Sequence, residues 1–202
     1  MKSLLVLYPI HPYVEELMIG RESPKMKAQY ASIYQRLISQ RYPDFQIIWV
    51  LFSESCFAAR PDMSLFWKDI IVKEGDIVAA CGVSFSDHCE SARYPDPKTI
   101  LDHCPKPIEK LAVGGFHFWD CVEKVAEYAY GQGIDVMVDD DLTEFFFWKV
   151  RDRKGNPSIW SIPFSFEESM TEERERLIES ASIVHLRLVR KARKGKPWLA
   201  KV

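Results

Sequence analysis

Short apolar runs alternate with amphipathic stretches along the first two thirds of the chain, and that alternation predicts a fold. Residues 3–8, 46–52 and 77–80 are apolar runs of strand length. Between the first two, Ser23-Pro24 opens a helix that runs to about residue 40. Tyr30, Ile33, Tyr34, Leu37 and Ile38 mark its apolar face. The clearest unit is 109–143. Its apolar run 111–113 ends in Gly114-Gly115. A helical pattern follows, with Cys121, Val122, Val125, Ala126 and Ala129 on one face and Glu123, Lys124 and Glu127 on the other. Gly131 and Gly133 stop that helix. A second apolar run, 134–138, leads into Asp139, Asp140 and Asp141. Strand, helix and strand of these lengths make a right-handed βαβ unit, and ligands in such sheets sit beyond the carboxyl ends of the strands.

The rest is weaker in pattern. Residues 53–73 read as a connection with one short helix near 63–68. Residues 84–97 read as a polar loop, followed by a short helix over 98–103 that Pro105 and Pro107 stop. An aromatic run over 142–150, a turn over 151–157 and an extended run over 158–164 predict a β-hairpin. A helix over 171–180 and an alternating strand over 183–189 follow. The fold class is α/β: a three-layer αβα arrangement around a mostly parallel, Rossmann-like sheet, with a hairpin arm at about 143–165. One domain over 1–189 and a basic tail over 190–202 account for the chain.

Composition narrows the function classes. The 202 residues are 47% hydrophobic with a net charge of −2, so a sizeable core is expected and no global field favours nucleic acid or membrane. The basic tail with Trp198 reads as solvated, and nucleic acid is not an expected partner. The N-terminal run reads as a first strand, not a signal peptide, and no apolar stretch has membrane-span length. Five cysteines without framework spacing imply reduced thiols and a cytoplasmic setting.

Candidate chemistry gathers at the strand ends, on His117, Cys121 and the three aspartates. Cys121 stands at a predicted helix N-terminus, where unpaired N–H groups favour a thiolate and supply donors to an oxyanion. A small buried core residue is the alternative reading. Asp87, His88, Cys89, His103 and Cys104 crowd one segment, but their spacing matches no zinc pattern, and no metal or cofactor is expected. His88 borders the site as a ligand contact. His11 reads as a surface-loop histidine.

The segment from Gly115 through Phe116, His117, Phe118, Trp119, Asp120 and Cys121 to Val122, with Ala126 and Ala129, resembles the nucleophile region of the isochorismatase-like cysteine hydrolases, which include nicotinamidases and N-carbamoyl amide hydrolases. The resemblance implies an isochorismatase-like fold and a homodimer. It also implies Cys121 as the attacking thiol on an amide or carbamoyl carbon, with backbone N–H groups near Phe118 and Cys121 as the oxyanion hole. Two positions depart from that family. Tyr8 stands where relatives carry an aspartate, and Cys81 where they carry a lysine.

Three functions follow. The first is a small-molecule amide or C–N hydrolase in which His117 or one of Asp139 to Asp141 replaces the missing base. The second is an inactive relative that binds a small molecule or a partner, which the residues at Tyr8 and Cys81 favour. The third is a magnesium-dependent, nuclease-like domain using Asp139 and Asp141. His88, Asp139 and Asp141 are the expected substrate contacts.

Overall fold

The computed structural model describes residues 1–17, 24–143 and 195–197. The expected hairpin arm, the helix over 171–180, the strand over 183–189 and nearly all of the basic tail lie outside these residues. Five parallel strands form one sheet: β1 (Lys2–Leu7), β2 (Gln46–Ser53), β3 (Ile77–Ser84), β4 (Lys110–Gly115) and β5 (Asp135–Thr143). Their order across the sheet is β3-β2-β1-β4-β5. The strands are nearly continuous apolar runs because both faces are covered: Leu4, Leu5, Val6 and Leu7 are all fully buried.

This order contains a switch point. From β1 the chain steps outward to β2 and β3, then returns to the other side of β1 to lay down β4 and β5. Right-handed crossovers therefore put the helices of the first excursion, α1 (His11–Leu17) and α2 (Pro24–Arg41), on one face. The helices that follow β3 and β4 belong to the other face. They are α3 (Phe85–Ser91), α4 (Pro97–Leu101) and α5 (Glu123–Gly131), and α4 packs on α5. The crevice lies where the carboxyl ends of β1 and β4 diverge.

Several elements differ from the sequence reading. α1 is not announced by the apolar pattern; Pro12 occupies its first helical turn, where its missing N–H is no loss. His11 opens this helix half-buried, its Nδ1 3.1 Å from the Leu65 carbonyl, and is not a surface-loop residue. Residues 63–68 form turns and not a helix. The polar stretch after β3 is helix α3. Ser84 caps it by accepting from the Asp87 amide at 3.1 Å, and the Asp87 side chain turns back onto the Ser84 hydroxyl. β5 runs through the acidic triplet to Thr143, with an irregularity between Val113 and Gly115 of its neighbour.

Candidate functional site

The site begins with two glycines at the end of β4. Gly115 has φ +107°, and a Cβ there would lie 2.0 Å from the Leu7 carbonyl oxygen. Only glycine lets β4 approach the end of β1 this closely, and the Phe116 amide then donates to that same carbonyl at 2.9 Å. The chain passes a cis Phe116–His117 peptide and enters a widened helical turn, Phe118–Val122. The Val122 amide donates to the His117 carbonyl five residues back at 3.1 Å, and the Asp120 amide donates to it at 3.2 Å. Such π-type turns recur at functional sites. α5 continues directly from this turn, so Cys121 enters the site from the first turns of one continuous helical segment.

Tyr8 follows β1 with φ 52°, a left-handed conformation uncommon for a bulky side chain. Its ring is fully buried and stacks on Phe52 of β2, centroids 4.5 Å apart. Its hydroxyl has no hydrogen bond of ordinary geometry, although it faces the Cys81 thiol. Burial, then the fields of Cys81 and Cys121, hold the phenol well above its usual range. Cys81 lies near the register shift between β2 and β3 and donates to the Val83 carbonyl at 3.4 Å. Burial pushes its thiol up to about 11. Tyr8, Cys81 and Cys121 are thus brought together, and the first two are neutral at neutral pH.

Charge at the site comes from elsewhere. From α3, His88 packs on Phe52 at 5.1 Å and on Tyr94 at 5.2 Å. Its Nδ1 lies 2.9 Å from the Arg93 carbonyl. A carbonyl only accepts, so in the neutral ring Nδ1 carries the proton and Nε2 the lone pair. Asp120 pairs with Lys124 at 2.5 Å, one helical turn on. Lys124 Nζ sits 3.3 Å from the centre of the Tyr94 ring; burial works against its charge, but Asp120, then Tyr94 and Cys121, raise its pKa on balance. One ligand atom each of His88, Asp120 and Cys121 lie within 4.8 Å of one another.

The other expected site residues are placed as follows. His117 packs against Tyr13 of α1, ring centroids 4.3 Å apart. Asp139 does not sit in a loop beyond its strand. It is buried within β5 and accepts from Arg41 at 2.8 and 2.9 Å and from the Tyr42 hydroxyl at 2.8 Å. That ion pair with the last residue of α2 gives Asp139 a structural partner within the fold. The Asp141 side chain lies outside the described residues. Of the ligand-rich segment 87–104, only His88 joins Cys121 in this cluster. Asp87 is absorbed by the α3 cap, Cys89 is exposed, His103 Nε2 lies 2.9 Å from the Ala80 carbonyl, and Cys104 is buried with its thiol pushed up to about 11. Asp120 and Lys124 were missed by the sequence reading. Their four-residue spacing beside Cys121 was the available signal.

No family model matches the chain, and no curated protein does. Solved structures do. An isochorismatase from Pseudomonas putida is 18% identical with a TM-score of 0.44, over 70% of this chain and 70% of its own. N-carbamoylsarcosine amidase from Thermoplasma acidophilum is 16% identical with a TM-score of 0.43, over 70% and 83%. Pyrazinamidase of Pyrococcus horikoshii, solved in complex with zinc, is 11% identical with a TM-score of 0.44, over 100% and 98%. At these identities and scores the likeness carries neither chemistry nor substrate to this chain. What the chain's own strands and helices establish is an α/β fold with a parallel sheet.

Proposed function

We propose that this protein is a cysteine-dependent hydrolase of small amides or related C–N compounds, with Cys121 as nucleophile and His88 as the base that replaces the missing aspartate. One observation carries the reading: His88 lies beside Cys121 at the switch point, with a ring tautomer that leaves Nε2 basic. Cysteine–histidine pairs of this kind activate the thiol. The two ligand atoms lie within 4.8 Å of each other, and such pairs often tighten when substrate binds.

The step balances as follows. The Cys121 Sγ proton passes to His88 Nε2, and the sulfur bonds to the carbonyl carbon. The carbonyl π pair moves onto oxygen, and backbone N–H groups near Phe118 and Cys121 would receive it. Collapse breaks the C–N bond, and the imidazolium returns its proton to the leaving nitrogen. Water, deprotonated by His88, then cleaves the thioester and restores the thiol.

A second reading has its own support. Tyr8 and Cys81 are both neutral, so neither the carboxylate nor the ammonium of the family's constellation is present, as expected of a chain that binds a small molecule without turning it over. The two separate on a panel of small amides and carbamoyl compounds, followed by release of amine. Turnover that Cys121→Ala abolishes and His88→Ala lowers by about 10²–10⁴ supports the hydrolase. No turnover, with Cys121 alkylated no faster than Cys81, establishes the binding reading instead.

A further inference from the structure

We propose that His88, Asp120 and Cys121 form a three-ligand site for a divalent ion of the zinc class. The site does not depend on the hydrolase reading, because it requires only that the three donors converge.

Three observations support it. The first is convergence itself. An imidazole nitrogen, a carboxylate oxygen and a thiol sulfur lie within 4.8 Å of one another. They come from two separate elements, α3 and the turn before α5. Three protein ligands with a fourth position left over is the pattern of open zinc sites. The second is that two of the donors are oriented by outer contacts. His88 Nδ1 is held by the Arg93 carbonyl at 2.9 Å, which in the neutral ring leaves the lone pair on Nε2. The Asp120 carboxylate is anchored through Oδ1 by Lys124 at 2.5 Å. Metal-binding histidines and carboxylates are characteristically held in this way. The third is charge and softness. A thiolate and a carboxylate balance a divalent cation. Sulfur with imidazole selects zinc or cobalt over magnesium or calcium. The Lys124 ammonium, which pairs with Asp120 and sits over the face of Tyr94, opposes an ion, and the two anionic donors outweigh its single charge. His103, Cys104 and Cys89 do not belong to the cluster, so the spacing of the sequence alone could not reveal it.

The consequence is a competition. An ion in this site takes the Cys121 sulfur as a ligand, and the same sulfur cannot then attack a carbonyl or an alkylating agent. Binding releases the thiol proton to solvent, with no change of oxidation state.

The test is titration of the full-length protein with Co²⁺ in a non-thiol reductant. It follows thiolate-to-cobalt charge transfer in the near ultraviolet and d–d absorption in the visible. One equivalent should bind and give a tetrahedral-type spectrum. Cys121→Ser should abolish the charge-transfer band, and His88→Gln and Asp120→Asn should each weaken binding by at least about 10²-fold. Cys89→Ser, at an exposed thiol that is not one of the three ligands, should change nothing. Zn²⁺ should displace cobalt and protect Cys121 from iodoacetamide, read per cysteine by mass spectrometry. Circular dichroism of each metal-free variant checks that it is folded, and His88→Gln serves alone if Cys121→Ser is not. The site is overturned if no cobalt binds, or if the band persists in Cys121→Ser or moves with Cys89→Ser. These readouts need no turnover, so failure of the metal site and failure of the hydrolase reading are separately visible.

Discussion

At the scale of the residue, burial decides what each thiol can do. Cys81 and Cys104 are both pushed up to about 11 from 9.0, with desolvation the largest cause. Both are therefore neutral at pH 8, and iodoacetamide should leave them unmodified in the native protein while exposed Cys89 reacts. The same shifts set a pH limit on stability. The folded state holds these protons more tightly than the unfolded chain, so the contribution is complete below about pH 9 and is lost as pH rises toward 11. The melting temperature should fall across that window, and Cys81→Ala should flatten the fall. A melting temperature that holds steady to pH 11 would contradict the burial argument. Gly115 is the residue most tightly dictated by the backbone. Gly115→Ala would place a Cβ against the Leu7 carbonyl at a positive φ, and a loss of more than about 3 kcal/mol is expected in urea denaturation. This demand was legible from the Gly-Gly pair after an apolar run. The left-handed backbone of Tyr8 was not, because nothing in a tyrosine's neighbours announces it.

At the scale of the element, the strands and the two long helical patterns were legible because each carries its own periodicity. Errors fell where a residue's partner is distant in sequence. Asp139 read as a strand-end acid because three consecutive aspartates break an apolar run. Its actual partner, Arg41, is 98 residues away. The pairing makes a specific demand. Asp139→Asn removes the carboxylate that accepts from the Arg41 guanidinium at 2.8 and 2.9 Å. Because Arg41 is 23% exposed, the loss should be about 1–3 kcal/mol, below that of a fully buried pair. Urea denaturation measures it. A change under about 0.5 kcal/mol would mean that water replaces the carboxylate. α3 was read as a loop because its sequence is polar, and none of its residues is buried. Capping by Ser84, not an apolar face, defines it, and with it the position of His88.

At the scale of the whole molecule, the strand order fixes where a site can be, and the side chains decide what it does. The order β3-β2-β1-β4-β5 opens its crevice beside Tyr8 and Cys121 whatever residues stand there. The resemblance in the Gly115 to Ala129 segment made this place legible. The replacement of charge by a neutral tyrosine and a neutral thiol was legible only as two odd letters. Their meaning came from burial: at Tyr8 an unpaired carboxylate would be stranded, and so would an unpaired ammonium at Cys81. The two positions should therefore be coupled. Tyr8→Asp trades a strained tyrosine backbone for a residue that tolerates left-handed φ, but it empties the space against Phe52 and buries a charge. Cys81→Lys alone buries an ammonium. Each single variant should lose stability, and the double variant should lose less than the sum, with a coupling of about 1–3 kcal/mol in a double-mutant cycle. Strict additivity would mean that the two side chains do not share one site. Coupling would mean that the two positions face one another closely enough to hold a charged pair. A gain of amide turnover in the double variant alone would then assign the missing chemistry to these two residues rather than to the scaffold.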